Sequence, residues 1–137
     1  RYHIPIDCKI SRLVHVPGKL YPVNMTYLNK QQDLFIENER VVLKCETPDN
    51  KIFFMILVSA LNVGVMQVTF EPRIQTNASA TTPQAYDFEN LHMKKGDDFG
   101  CFEMGSTIVI IAEKDMLELD INTNENVKYA QTIATLV

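Results

Sequence analysis

The sequence predicts an all-β domain with little helix, and three observations lead to this fold class. Short apolar or alternating segments recur along the 137 residues, separated by Pro, Gly and Asn turns. No stretch carries an apolar stripe of 3.6-residue period over three turns. The length suits one domain, and 46% apolar with 22% charged residues suffices for a folded core, which excludes a disordered chain.

The first half of the chain predicts three strands. Cys8–Val16 alternates loosely between apolar and polar residues and stops at a Pro-Gly turn. Arg40–Glu46 and residues 51–59 flank the turn sequence TPDN at 47–50, so these two segments are predicted to pair as a hairpin. Residues 51–59 are almost continuously apolar, which is typical of a strand buried on both faces.

The second half predicts three more strands and one long loop. Residues 64–70 alternate, which indicates a strand with one face in water. Residues 71–90 are rich in Thr, Ala and Asn and contain two prolines, so they predict the loop. Thr107–Ala112 (TIVIIA) is predicted to be a fully buried strand, and residues 116–121 alternate again.

Charge and hydropathy exclude several functions. The chain has 13 basic and 17 acidic residues, a net charge of −4 with neutral histidines. This balance argues against a nucleic-acid-binding protein and against adhesion to anionic lipid by charge alone. The longest apolar run, residues 52–61 (IFFMILVSAL), is too short to span a bilayer, which needs about 20 residues.

Cysteine and histidine spacing predicts neither a disulfide framework nor a metal site. The cysteines form no C-x-x-C pair, which indicates free thiols in a reducing compartment: Cys8, Cys45 and Cys101. The histidines show no metal-binding spacing: His3, His15 and His92. The last two are expected at the surface.

The segment 100–107 (GCFEMGST) carries the chemistry that the sequence indicates most sharply. Its Gly105-Ser106 step is neither a nucleophile elbow nor a phosphate loop, so a turn with a hydroxyl cap is one interpretation. A serine hydroxyl can also attack the preceding carbonyl carbon in a strained backbone, and glycine best tolerates such strain. Elimination from the resulting ester cuts the chain and leaves a pyruvoyl group, a ketone that reacts with amines and accepts electrons.

Five blocks of the sequence occur in the order and spacing of one known family. They are residues 2–5 (YHIP), 17–24 (PGKLYPVN), 34–41 (LFIENERV), 95–102 (KGDDFGCF) and 104–107 (MGST). Together they resemble the C-terminal catalytic part of bacterial phosphatidylserine decarboxylases, and the resemblance runs from Tyr2 to near Val137. The last block resembles the family's Leu-Gly-Ser-Thr cleavage site, with Met104 in place of Leu. Cys8 stands where the family usually has Gly.

The resemblance implies a barrel-sandwich hybrid-like fold and a pyruvoyl-dependent decarboxylase that converts phosphatidylserine to phosphatidylethanolamine and CO2. It implies self-cleavage of a zymogen between Gly105 and Ser106. Residues 1–105 would then correspond to the end of the family's β chain and residues 106–137 to its α chain. Ser106 would be the nucleophile and the precursor of the covalent pyruvoyl cofactor. His3 would be the base in cleavage and an acid–base group in decarboxylation, and no metal is implied.

Polar residues near these blocks have predicted supporting roles. Asn38, Glu39 and Arg40 are expected to form a polar network that braces the active site. Either Arg40 or Arg73 is a candidate to bind the phosphate of the substrate, because the guanidinium fork suits phosphate oxygens.

The resemblance also implies a location and partners. The family acts at the cytoplasmic face of the bacterial inner membrane, peripheral or anchored and often as a homodimer. The chain begins at Arg1 without Met, so it is expected to be the C-terminal part of a longer protein whose earlier residues bind the membrane. Those residues would also hold the Asp that orients the base. Loss of such a carboxylate costs about 10⁴-fold in serine triads, so this chain is expected to be an uncleaved precursor.

Two other functions remain open on the sequence alone. The substrate of the same chemistry could be a soluble amino acid, which a closed polar pocket beside Ser106 would favour, whereas an apolar entrance would favour lipid. Alternatively, the chain could be a non-catalytic carrier or interaction domain of the same fold. Carrier domains place a modifiable lysine at a hairpin tip, but Met93-Lys94 directly precedes the predicted Lys-Gly-Asp turn, and this spacing counts against a carrier.

Overall fold

The computed structural model describes residues 1–61, 65–74, 76, 81–104 and 107–137, and they fold mainly into antiparallel β-structure. The strands are β1 (Tyr2–His3), β2 (Cys8–Val16), β3 (Arg40–Glu46), β4 (Ile52–Val58), β5 (Met66–Val68), β6 (Gln84–Met93), β7 (Asp98–Phe102), β8 (Thr107–Ala112), β9 (Leu117–Leu119) and β10 (Ala134–Leu136). Two short helices, α1 (Met25–Lys30) and α2 (Leu34–Glu37), lie between β2 and β3. The prediction of an all-β domain with little helix is confirmed.

The strands form two sheets and a separate ribbon. The larger sheet has the order β6-β2-β3-β4-β8, and each neighbouring pair is antiparallel. The smaller sheet has the order β1-β7-β5, and β9 pairs with β10. Within the described part of the chain the sheets do not close into a barrel.

The predicted hairpin is confirmed as β3 and β4, with Arg40 opposite Val58 and Glu46 opposite Ile52. Its turn is closed by Thr47, whose hydroxyl accepts a hydrogen bond from the Lys51 N–H at 3.1 Å and lies 2.5 Å from Oδ1 of Asp49. Such hydroxyl and carboxylate contacts replace water around the main chain of a tight turn. The turn thereby fixes the register of the two central strands.

One apolar cluster joins the two sheets. Because side chains alternate along a strand, every second residue of β3 and of nearly all of β4 faces this cluster, and the same holds for β2 on each side of a bulge between Ile10 and Arg12. It is completed from the smaller sheet, and its fully buried members are Tyr2, Ile4, Ile10, Leu13, Val41, Leu43, Cys45, Leu57, Met66 and Phe99. Burial of each large apolar side chain contributes about 1.5–3 kcal/mol, so the cluster is the main source of stability.

Three expectations about individual strands are wrong. The predicted loop at 71–90 includes most of β6, the longest strand in the described residues. β8 is not fully buried, because it is an edge strand whose Ile111 is 56% exposed. β4 is not buried on both faces, because its side chains mostly alternate between buried and half-buried.

No helix in the described residues is long and apolar enough to cross a membrane.

Gly100 provides a test of how closely the strands of the smaller sheet approach each other. Its φ is +151°, and a Cβ there would overlap the Gln67 carbonyl oxygen and lie 2.6 Å from Cε2 of Tyr2. Gly96 is a matched control, because its φ is +89° but a Cβ would meet nothing within 4 Å.

We expect Gly100→Ala to lower the free energy of unfolding by about 3 kcal/mol, as in strongly overpacked cores. Gly96→Ala should cost only about 1 kcal/mol, the strain of a left-handed backbone. Urea unfolding followed by circular dichroism measures both values. Equal losses for the two variants would contradict the close approach of β5 and β7.

Candidate active site

The predicted cleavage step is located by its neighbours, because Gly105 and Ser106 lie outside the described residues. Met104 lies in the turn after β7 and is 71% exposed, and Thr107 begins β8. β7 belongs to the smaller sheet and β8 to the larger one. The junction between residues 104 and 107 is therefore where the chain passes from one sheet to the other.

Each side of this junction is held by its own contacts. β7 lies between β1 and β5, and β8 pairs with β4 over six residues that begin with Thr107 opposite Val58. Beyond β8, the side chain of Met116 is buried in the core, and its carbonyl accepts a hydrogen bond from the Val137 N–H at 3.2 Å. Lys51 Nζ donates to the Val137 carbonyl at 2.8 Å. A break at the junction would leave both new ends attached.

His3 lies in β1, half-buried and opposite Asp98, the first residue of β7. Phe102, the last residue of β7, lies about 13 Å further along that strand, and the junction begins two residues later, after Met104. The His3 ring lies 4.9 Å from the ring of Tyr129, a residue that the sequence did not single out. Because Ser106 lies outside the described residues, its predicted partnership with His3 stays a prediction.

The neighbours of His3 hold β1 firmly. The buried Tyr2 hydroxyl reaches the carbonyl oxygens of Gln67 and Cys101, the latter at 3.0 Å. Burial raises the pKa of Tyr2 well above its usual value, so this hydroxyl keeps its proton. For Asp98, burial alone would raise the pKa, but hydrogen bonds from the Gly100 N–H and Arg1 outweigh burial and lower it. Asp98 thus stays a carboxylate beside His3.

Asn38 forms the predicted polar network at the start of β3. Its side chain is fully buried; Nδ2 donates to the carbonyl oxygens of Tyr21 and Ser59, and Oδ1 accepts from the Tyr21 N–H, each at 2.9 Å. Arg40 donates to the carbonyl oxygens of Ile36 at 2.6 Å and Asn38 at 3.1 Å. Asn38 and Arg40 are joined as predicted, whereas the Glu39 side chain contacts His15; a role in bracing an active site stays a prediction.

His15 is buried, so the expectation that it lies at the surface is wrong, whereas His92 is exposed as expected. Strand alternation places His15 on the same face of β2 as Leu13. Its Nε2 lies 2.8 Å from Oε1 of Glu39, also buried. Alternation along β2 could have indicated this burial, because it places the polar ring of His15 on an apolar face. A polar ring buried there requires a hydrogen-bond partner.

The blocks at 17–24 and 34–41 pack against each other, although they are separated in the sequence. The Lys19 N–H donates to the Glu37 carbonyl, and the Glu39 N–H donates to the Lys19 carbonyl, each at 2.9 Å. At Gly18 an added Cβ would lie 2.6 Å from the Glu39 nitrogen, which only glycine avoids. This contact fixes the main chain that leads into β3.

The two arginine candidates differ in position. Arg73 makes two hydrogen bonds of 2.6 Å to Glu71 and stacks 4.3 Å from the ring centre of Tyr86 on β6, the edge strand opposite β8. Arg40 lies opposite Val58, which in turn lies opposite Thr107. Directly paired residues point to the same face of a sheet, so Arg40 shares a face with the residue that follows the junction.

Three exposed apolar side chains lie on segments next to the junction or next to the paired strands β3 and β4. We call them the apolar rim: Ile36 is 64% exposed, Leu61 is 55% exposed and Met104 is 71% exposed. Ile36 and Leu61 each lie two residues from one end of the Asn38–Ser59 hydrogen bond. Met104 lies three residues before Thr107, which pairs with the end of β4. Three exposed apolar side chains therefore lie on segments that strand pairing or sequence joins to the junction.

The thiols and metal-binding side chains add no further centre to the described residues. Cys8, Cys45 and Cys101 are free thiols. Across the described ranges, no group of three or more His, Cys, Asp or Glu side chains could hold a metal ion.

Comparison with known proteins identifies one family. The family model described as phosphatidylserine decarboxylase matches residues 1–135. A phosphatidylserine decarboxylase proenzyme of Campylobacter jejuni is 40% identical over 134 residues, which cover 98% of this chain and 50% of that protein. One from Helicobacter pylori is 41% identical over 137 residues (96% and 49%), and one from Coxiella burnetii is 30% identical over 138 residues (99% and 49%). The chain spans about half the length of the curated relatives it matches.

Proposed function

Because this chain belongs to the phosphatidylserine decarboxylase family, we propose that it is the C-terminal catalytic part of a proenzyme that cleaves itself between Gly105 and Ser106 and then decarboxylates phosphatidylserine. The observation that carries the proposal is the family match over residues 1–135, which includes this step. The position of the junction supports it, since each side is held by separate strand pairs.

In the proposed cleavage, Ser106 Oγ attacks the carbonyl carbon of Gly105. The C–N bond breaks, the hydroxyl proton ends on the released amine, and an ester remains. A base then removes the α-hydrogen of residue 106, and the Cβ–O bond breaks. Gly105 leaves as a carboxylate, residue 106 becomes dehydroalanine, and one water enters as ammonia leaves. The product is a pyruvoyl group at the start of the shorter chain, residues 106–137.

The residues beside the junction fit this cofactor. Met104 is exposed, so the new carboxyl end has room to move away, and Thr107 is held by β4, so the cofactor would stay in place. Once formed, the pyruvoyl ketone supplies an electron sink for the loss of CO2 from a bound amino acid headgroup. In this proposal His3 moves protons during cleavage and turnover, oriented by an Asp from outside this chain.

We propose a lipid rather than a soluble amino acid as the substrate, because the family model is that of phosphatidylserine decarboxylase and exposed apolar side chains lie on segments joined to the junction. The apolar rim would contact acyl chains, and Arg40, on the same face as Thr107, would bind the phosphate. The enzyme would then work on a bilayer, at the cytoplasmic face of a bacterial inner membrane and as a homodimer. Residues outside this chain would provide most of the membrane contact.

Self-cleavage is tested with variants of the intact proenzyme, followed by denaturing electrophoresis. Ser106→Ala should leave the polypeptide whole, because no other group can supply the ester oxygen. His3→Ala should slow cleavage about 10²–10⁴-fold, the usual loss on removal of a general base. Matched controls are Ser11→Ala and His92→Ala, which should cleave at the parent rate. A Ser106→Ala protein that still divides at this step, or a His3→Ala protein with the parent rate, would remove that residue from the mechanism.

The substrate class is tested by CO2 release from phosphatidylserine vesicles and from free serine. We expect release from the vesicles and almost none from the amino acid. Leu61→Ser in the apolar rim should raise KM for vesicles about tenfold, because burial of one large apolar side chain contributes about 1.5–3 kcal/mol. Val137→Ser, at a more exposed position (69% against 55% for Leu61) that is distant in sequence from the rim, should leave KM unchanged. Equal turnover of serine and vesicles would contradict a lipid substrate.

A further inference from the structure

We propose that a buried polar cluster positions the Gly105–Ser106 peptide for self-cleavage through the pairing of β4 with β8. The cluster, which we call the polar bracket, consists of the side chains of His15, Asn38 and Glu39 and the main chain of Ser59. This inference rests on the proposed function, because it assigns these residues a role in that reaction. They are positioning residues, in the core beside the strand that carries the junction.

The polar bracket holds both main-chain polar groups of Ser59. The Ser59 N–H donates to the Glu39 carbonyl at 2.9 Å, and the Ser59 carbonyl accepts from Asn38 Nδ2 at 2.9 Å. Ser59 is 1% exposed and Asn38 is 0% exposed, so water does not compete for these bonds. The main chain just beyond β4 is thereby fixed in position and orientation.

Strand pairing makes the position of the residues after the junction depend on the position of Ser59. Ser59 follows Val58, the last residue of β4, and Val58 pairs with Thr107, the first described residue after the junction. A shift of Ser59 would therefore move the start of β8 and the peptide that leads into it. Misplacement of a reacting group by about 1 Å can cost about 100-fold in rate.

The contact between His15 and Glu39 holds the bracket from the other side. His15 Nε2 and Glu39 Oε1 are 2.8 Å apart, and the two side chains are 1% and 5% exposed. Within the described residues Nδ1 of His15 has no hydrogen-bond partner, so the contact with Glu39 orients the ring. The side chain of Glu39 is thus tied to β2, while its carbonyl holds Ser59.

A polar bracket that only stabilised the fold would affect the melting temperature and the cleavage rate differently from one that positions the peptide. Burying a polar pair costs desolvation energy, and a well-packed apolar pair of similar size is often at least as stable. What the polar pair provides is a fixed geometry, because hydrogen bonds are directional whereas apolar contacts are not. If the polar bracket only stabilised the fold, breaking it would lower the melting temperature without slowing cleavage in molecules that remain folded.

Two substitutions at one position separate these roles in the intact proenzyme. His15→Phe keeps a ring but removes the nitrogen that contacts Glu39, and His15→Gln restores a polar side-chain nitrogen. The first-order rate of self-cleavage is measured well below the melting temperature of each variant. We expect His15→Phe to cleave about 10- to 100-fold more slowly than the parent, and His15→Gln to recover most of the rate.

Phe53→Leu is the control for lost stability alone. It lies at the far end of β4, opposite Cys45 and Ala112, and is buried. This variant should melt at a lower temperature and cleave at the parent rate. If His15→Phe does not fold, Glu39→Gln replaces it, because it keeps the side-chain shape and weakens the bond to His15. Slower cleavage is expected there too.

The outcomes separate this inference from the proposed function. A parent protein that stays uncut contradicts the proposed function, and the positioning role falls with it. A parent that is cut, together with a His15→Phe or Glu39→Gln variant cut at the same rate, overturns the polar bracket and leaves the proposed function standing. If His15→Phe cleaves slowly and His15→Gln does not restore the rate, the polar bracket is also contradicted. The lost contact between His15 and Glu39 would then not be the cause of the slow cleavage.

Discussion

The antiparallel pairing of β4 with β8 is the contact on which the geometry of the junction depends. In the described residues β4 is the strand that pairs with β8, because β8 lies at the edge of the larger sheet. β4 in turn is fixed by its hairpin with β3 and by the bonds from Asn38 and Glu39 to Ser59. The position of residues after the junction is therefore set by the core.

The chain passes from one sheet to the other at the junction, and this arrangement is compatible with the proposed cleavage between Gly105 and Ser106. Before the junction, β7 is held by β1 and β5, and after it β8 is held by β4. The chain on each side of the junction is therefore held independently of the other side. In the proposed cleavage neither sheet would lose a strand, so the core would stay intact.

Features set by neighbouring residues could be predicted from the sequence, whereas features set by distant partners could not. Alternation and the TPDN turn gave β2 and the hairpin of β3 and β4 with nearly correct bounds. β6 escaped prediction because an edge strand needs few apolar residues and is defined by its pairing with β2. The burial of His15 depends on Glu39, 24 residues away. The candidate roles of His3 and Ser106 came from the family resemblance, because spacing alone indicates no partner for either.

Mass spectrometry of the intact proenzyme under native and denaturing conditions tests most directly whether the junction is cut while both sheets persist. Under denaturing conditions we expect two chains, the smaller beginning at residue 106 and lighter by one ammonia than a chain that begins with serine. Under native conditions the same sample should give one complex that contains both chains. A single uncut polypeptide under denaturing conditions, or two chains that separate under native conditions, would contradict this description of the junction.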